Sequence, residues 1–145
     1  MTTFDADPIQ ELTDDESWTL LASVSLGRLA TSVADQPEIF PVNFVVQRKT
    51  ILLRTAEGTK LLTAIMNQRV AFEADDHDAE KGWSVVVKGH AHVLAGSAEL
   101  AEADRGQVLP WITTAKNRYI RVTPSAVSGR RFRFGGEFDT GTDAS

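Results

Sequence analysis

The stretch Ile51-Leu52-Leu53-Arg54-Thr55-Ala56-Glu57-Gly58-Thr59-Lys60 reads as an apolar strand ending in Arg-Thr, a glycine-containing loop, and a helix that opens near Thr59-Lys60. A helix start presents unpaired backbone N–H groups and the positive end of the helix dipole. Arg54 and Lys60 add formal positive charge, and Thr55 and Thr59 add hydroxyl donors. Together these groups suit a phosphate. The same residues fit a plain strand-to-helix turn equally well, with Thr59 as N-cap and two solvated basic side chains. The chain carries neither the Gly-x4-Gly-Lys-Ser/Thr spacing of a nucleotide-binding P-loop nor a Gly-x-Gly-x-x-Gly fingerprint.

Working outward, Leu29 to Val33 and Ile39 to Gln47 read as two more strands. Ala34-Asp35-Gln36-Pro37 supplies the turn between them, and Pro41 suits an edge or a bulge. Three strands joined by short turns make an antiparallel meander. Upstream, Thr13-Asp14-Asp15-Glu16 matches a capping box, and Trp18, Leu21 and Ala22 follow at helical spacing. That predicts a helix to about Val24, broken by Gly27, after a flexible lead-in over residues 1–11.

Downstream, a short helix is expected from Leu61 to about Asn67, then a strand Val70 to Ala74 and a charged loop Asp75 to Glu80. Gly82 to Ala95 is a long strand, and Ser97 opens a helix that stops before Pro110. Asn117 to Val122 and Ala126 to Phe134 are the last strands, joined through Pro124. Residues 12–134 then form one domain, followed by a disordered Gly-, Thr- and Asp-rich tail over 135–145. The pattern is mainly β, a small antiparallel barrel with a few short helices.

Composition narrows the function. The 145 residues carry 15 Lys plus Arg against 20 Asp plus Glu, a net charge of -5, and no basic block. Such a chain is poorly suited to bind nucleic acid, although a local pocket can still be cationic. It has no cysteine, which removes disulfides, thiolate metal sites and cysteine nucleophiles. With no signal-like N-terminus and no span long enough for a bilayer, a cytoplasmic location away from membranes is expected.

Other candidate chemistry is thin. His90 and His92 share one strand face but lack a third ligand at useful spacing. Asp75, Asp76, Asp78 and Glu80 surround His77 without the spacing of a calcium loop, so a solvated loop is the better reading. No Gly-x-Ser-x-Gly elbow occurs, and Arg130, Arg131 and Arg133 fit a solvated strand edge as well as an anion site. No metal site and no catalytic side chain is expected.

Five fragments in fixed order carry a family resemblance. They are Gly27-Arg28-Leu29-Ala30-Thr31, Pro41-Val42-Asn43-Phe44, Arg54-Thr55-x-x-Gly58-x-Lys60, Val70-Ala71-Phe72-Glu73, and Gly82-Trp83-Ser84-Val85-Val86-Val87-x-Gly89-x-Ala91. Over about residues 12–133 the chain resembles the small flavin-binding proteins of the pyridoxamine 5′-phosphate oxidase-like superfamily. The resemblance implies an FMN-binding split barrel, with the cofactor at the two-fold interface of a homodimer. Arg54, Thr55, Thr59 and Lys60 would hold the phosphate and ribityl chain. Pro41, Val42, Asn43 and Phe44 would lie beside the isoalloxazine, with Trp83 and Ser84 approaching it. Trp111 or the Arg130-Arg131 pair would come from the partner subunit.

The implied activity is a flavin-dependent oxidoreductase of unknown substrate, with a flavin carrier or sensor as the alternative. The same barrel also serves deazaflavin F420 or haem in related proteins; the cradle suits the phosphate of F420, and neither His90 nor His92 is clearly placed as a haem ligand. Oxidation of pyridoxamine phosphate itself is not implied, because the Arg-x-His substrate motif of the authentic oxidases is absent.

Overall fold

The computed structural model describes residues 7–56, 59–65, 68–109 and 117–135. The elements run β1 (Ile9–Glu11), α1 (Asp14–Leu21), β2 (Leu26–Val33), β3 (Gln36–Gln47), β4 (Thr50–Ala56), α2 (Lys60–Ala64), β5 (Gln68–His77), β6 (Lys81–Val93), α3 (Ser97–Arg105) and β7 (Asn117–Arg133). Every strand pairing is antiparallel, in the order β1-β7-β4-β3-β2-β5-β6. An additional β6–β7 pairing closes the sheet into a barrel.

Two features of the strands depart from expectation. Ile9–Glu11, expected as lead-in, pair with Phe132, Arg131 and Arg130, because that edge of β7 is otherwise open. The last two expected strands are one 17-residue β7. It keeps pairing with β6 through Pro124 because a bulge absorbs the missing donor: Lys88 faces Ala126 and Gly89 faces Pro124, leaving Ser125 as the extra residue.

Both tight hairpins use positive φ without glycine. Ala34 (φ 51) and Asp35 (φ 62) join β2 to β3, while Arg48 (φ 49) and Lys49 (φ 55) join β3 to β4. Paired positive φ at a two-residue loop matches the right-handed twist of the flanking strands. The charged segment after Ala74 stays in β5 as far as His77 instead of looping out.

Gly27 does not end α1. That helix stops at Leu21, capped by Ala22, and Gly27 lies within β2. A Cβ there would sit 2.5 Å from the Phe72 ring, so the missing side chain is what admits the aromatic. Phe72 in turn meets Phe44 edge to face, with centroids 4.7 Å apart.

The barrel interior is filled by Leu29, Val42, Phe44, Ile51, Leu53, Phe72, Val85, Val87, Ile120 and Val122. Helix α1 places Trp18 and Leu21 in this core, and α2 contributes Leu61. The start of α1 is fixed by the full Thr13/Glu16 capping box. A second cluster, Leu52, Leu94, Ala103 and Val108, lies where α3 packs on the outer face of β4. No helix among the described residues is long and apolar enough to cross a membrane.

Candidate functional site

The barrel opens between β3 and β4. These strands pair from Gln47↔Thr50 to Phe44↔Leu53, and the ladder stops there. Beyond that point β3 continues against β2 alone as far as Gln36, while β4 continues against β7 as far as Ala56. Phe44 N–H donates to Ser25 O on the β2 side. Alternation therefore aims the Pro41 carbonyl away from β2, toward the opening.

A pocket of about 200 Å³ occupies this opening, lined by Phe40, Pro41, Thr55, Ala56, Thr59, Lys60 and Leu61. Thr55 is buried on the inner face of β4, and its hydroxyl lies 3.2 Å from that of Thr59. Thr59 is the N-cap of α2 and accepts the Leu62 N–H at 3.2 Å. With only five residues, α2 adds little dipole, so the positive charge here rests on Lys60. Lys60 Nζ meets Glu38 Oε2 at 2.9 Å, with the lysine largely exposed.

Arg54 takes the other face, since successive strand residues alternate. Its guanidinium donates to Val108 O at 3.3 Å and stacks 5.3 Å from the Tyr119 ring centroid. The Arg54 Nε is buried with no hydrogen-bond partner, and no carboxylate pairs with Arg54 among the described residues. Tyr119 donates to Asp104 Oδ1 at 2.6 Å. Burial first, and that bond second, hold the Tyr119 phenol above its usual range, while the Arg54 charge pulls the other way.

Of the residues the sequence singled out, Pro41, Thr55, Thr59 and Lys60 come together around this pocket. Val42 and Phe44 turn their side chains into the core, at 2 % and 1 % exposure, and Asn43 is half-buried on the opposite face of β3. Trp83 borders a separate groove with Leu20, His77, Lys81 and Arg131, and Ser84 faces Asp75 and Arg130 across its neighbouring strands. Neither lines the pocket of its own chain. Glu57, Gly58 and Trp111 lie outside the described residues, as does the expected end of α2 near Asn67.

Sequence reasoning missed Phe40, Ala56, Leu61 and Glu38. Glu38 carried no local signal, because it meets Lys60 only across the opening between two strands. Some of the fragments have structural roles too. Arg28 links β2 to β5 through Glu73 and Asp75, each at 2.8 Å. The described residues contain no group of three His, Asp or Glu side chains able to hold a metal. Asp78 instead accepts the Glu80 and Lys81 N–H groups at 2.7 and 2.9 Å, which closes the turn before β6.

A closed antiparallel barrel parted between two strands, with a threonine pair and a lysine at the parting, has the architecture of a split-barrel protein. The family model described as pyridoxamine 5′-phosphate oxidase matches residues 13–131, and the chain belongs to that family. It is 56% identical to the FAD binding protein from Mycobacterium smegmatis, covering 87% of this chain and 100% of that one with a TM-score of 0.82. A putative pyridoxamine 5′-phosphate oxidase from Corynebacterium glutamicum is 40% identical, with 89% and 97% covered and a TM-score of 0.79. An uncharacterized Mycobacterium tuberculosis protein is 35% identical over 130 residues, 85% of each chain.

Proposed function

We propose that the protein binds a flavin nucleotide at the β3–β4 opening and acts as a flavin-dependent oxidoreductase. The observation that carries this reading is the convergence of Thr55, Thr59 and Lys60 on one pocket beside the unpaired run of β3. The two hydroxyls and the ammonium suit a phosphate and the adjoining ribityl hydroxyls. Phe40, Pro41 and Leu61 give an apolar wall, and the Pro41 carbonyl offers an acceptor to a ring N–H. The unpartnered Arg54 Nε adds a second cation nearby in sequence but on the outer face.

FMN and FAD share the phosphate next to the ribityl chain, so this cradle accepts either. The 56% likeness to an FAD binding protein supports the dinucleotide as well as FMN. F420 carries a phosphate too and is the remaining competitor. When bound, the flavin would supply the hydride chemistry, while these side chains bind and orient it.

A pocket of about 200 Å³ is smaller than the roughly 300–1,000 Å³ of a complete small-molecule site. The reading therefore includes a homodimer in which the second copy supplies the remaining wall, with Trp83, Ser84, Arg130 or Arg131 available for that role. A cysteine-free chain suits the cytoplasm, where we place it. Lys60, the one titratable residue among the described residues lining the pocket, is already paired to Glu38, which favours a carrier or sensor as the second reading.

An absorption titration of the purified protein with FMN, FAD and F420 tests the proposal. Saturable binding of one flavin per chain, weakened in Lys60→Ala and Thr59→Ala, is the expected result. Absence of binding by all three refutes it. Reduction of the bound flavin by NADH or NADPH, with turnover, separates the enzyme from the carrier.

A further inference from the structure

On the outer face of the barrel, away from the β3–β4 opening, β5 and β6 carry three cationic or protonatable side chains together. Arg69 stands directly opposite His90, and Lys88 stands opposite Ala71, diagonal to Arg69. All three border a groove of about 380 Å³, lined also by Ala30, Ala71, Gly89 and Ala126. Among the described residues, no Asp or Glu lines it. The next acid along β5, Glu73, is engaged by Arg28 at 2.8 Å. The two formal charges, Arg69 and Lys88, thus sit diagonal to each other in a chain of net charge -5.

Arg69, Lys88 and His90 have no ion pair or side-chain hydrogen bond among the described residues. The groove floor is small and apolar, which leaves a flat surface beneath the cations. Thr31, which borders the groove from the inner face of β2, is 4 % exposed, and its hydroxyl has no hydrogen-bond partner. The β6–β7 bulge falls at the same place, between Lys88 and Gly89, with Ser125 Oγ donating to Lys88 O at 3.1 Å. Bulges re-aim side chains and are frequent beside functional sites. Gly89 is required there, because a Cβ would clash with the Thr123 carbonyl.

We infer that this groove is a second ligand site, for an organic phosphate of the nucleoside monophosphate type. Arg69, Lys88 and His90 hold the phosphate, and the alanine floor carries the flat base. The site is separate from the Lys60 pocket, so the inference stands whether or not a flavin binds there.

The test is calorimetric titration of the purified protein with AMP and with adenosine, in wild type, an Arg69→Gln/Lys88→Gln double variant, and Lys60→Gln. The expected result is saturable AMP binding that weakens at least about tenfold in the double variant, persists in Lys60→Gln, and is absent for adenosine. AMP binding that survives the double variant, or that disappears in Lys60→Gln, overturns the assignment; so does the absence of saturable AMP binding. Backbone amide shifts of the wild-type protein give the second reading without any variant. Shifts on AMP addition centred on Arg69 and Lys88 to His90 support the site, and shifts confined to Thr55 to Leu61 refute it.

Discussion

Glu38 is an internal competitor for the ligand's phosphate, and Glu38→Gln is expected to tighten flavin binding. Its carboxylate lies 2.9 Å from Lys60 Nζ, with the two side chains 35% and 72% exposed. An exposed pair of this kind contributes about 0.2–1 kcal/mol, which a bound phosphate must forgo. A phosphate touching Nζ would also sit roughly 6 Å from the Glu38 carboxylate. At that distance in a water-like dielectric each pair of unit charges repels by about 0.7 kcal/mol. Removing the charge while keeping the side-chain shape therefore gains about 1–2 kcal/mol, or roughly fivefold to thirtyfold in affinity. Fold stability falls by about 1 kcal/mol or less.

Quenching of flavin fluorescence on titration reads the affinity directly, and riboflavin, which lacks the phosphate, is the control. FMN binding should tighten while riboflavin binding stays unchanged. In a Lys60→Gln background the gain should shrink to the repulsive part, which a double-mutant cycle isolates. Weaker FMN binding in Glu38→Gln would refute the reasoning, because it would make Glu38 a ligand contact. An equal gain for riboflavin would refute it too, since the effect would then not involve phosphate.

Tyr119 is the chain's one tyrosine, so tyrosinate absorbance reports it alone. Its titration midpoint should lie above 10.0, held there by burial and by the bond to Asp104; Asp104→Asn should lower it and Arg54→Gln should raise it. Because the folded-state value is raised, this contribution to stability is complete below the ordinary phenol range and is lost as pH climbs through the folded value. A midpoint at or below 10.0 in the native protein would contradict the Tyr119–Asp104 geometry. Gly27→Ala places a methyl 2.5 Å from the Phe72 ring and 2.8 Å from Glu73 O, an overpacking cost of about 1–3 kcal/mol. A thermal melt should show a Tm lowered by about 3–12 °C; an unchanged Tm would mean the Phe72 ring can yield.

The barrel was legible because alternation and turn chemistry act over a few residues. The β2, β3 and β4 meander follows from Leu29, Val42, Phe44, Ile51 and Leu53 recurring on one face. The phosphate cradle was legible only in part. Grouping Arg54 with Thr55 by adjacency overlooked the pleat, which sends adjacent side chains to opposite faces. Val42 and Phe44 share a face with Phe40 but lie deeper, in the core, so only Phe40 and Pro41 of this strand reach the pocket surface. Other features depended on partners distant in sequence. Ile9–Glu11 become a strand only because β7 offers an edge, and Lys60 finds Glu38 across the opening. No local window contains either fact.

Pro41 ties the architecture to the site. Extending the register beyond Phe44↔Leu53 would set Asn43 against Arg54, Val42 against Thr55 and Pro41 against Ala56. The β3 residues that alternate with Phe44 turn their main-chain groups toward β4, and at Pro41 there is no N–H to give. The ladder has already ended at Phe44↔Leu53, and the missing donor three residues further on keeps the two strands from pairing again at Pro41. The strand nevertheless stays in the sheet, because Val42, Phe40 and Glu38 keep their pairing with β2 on the other side. The result is an opening whose one wall is a held strand with an outward carbonyl, and whose other wall is the Thr55–Thr59–Lys60 turn. A residue that reads as a strand defect in sequence thus helps to keep the gap open and leaves an acceptor in it, while the barrel remains closed through β6 and β7.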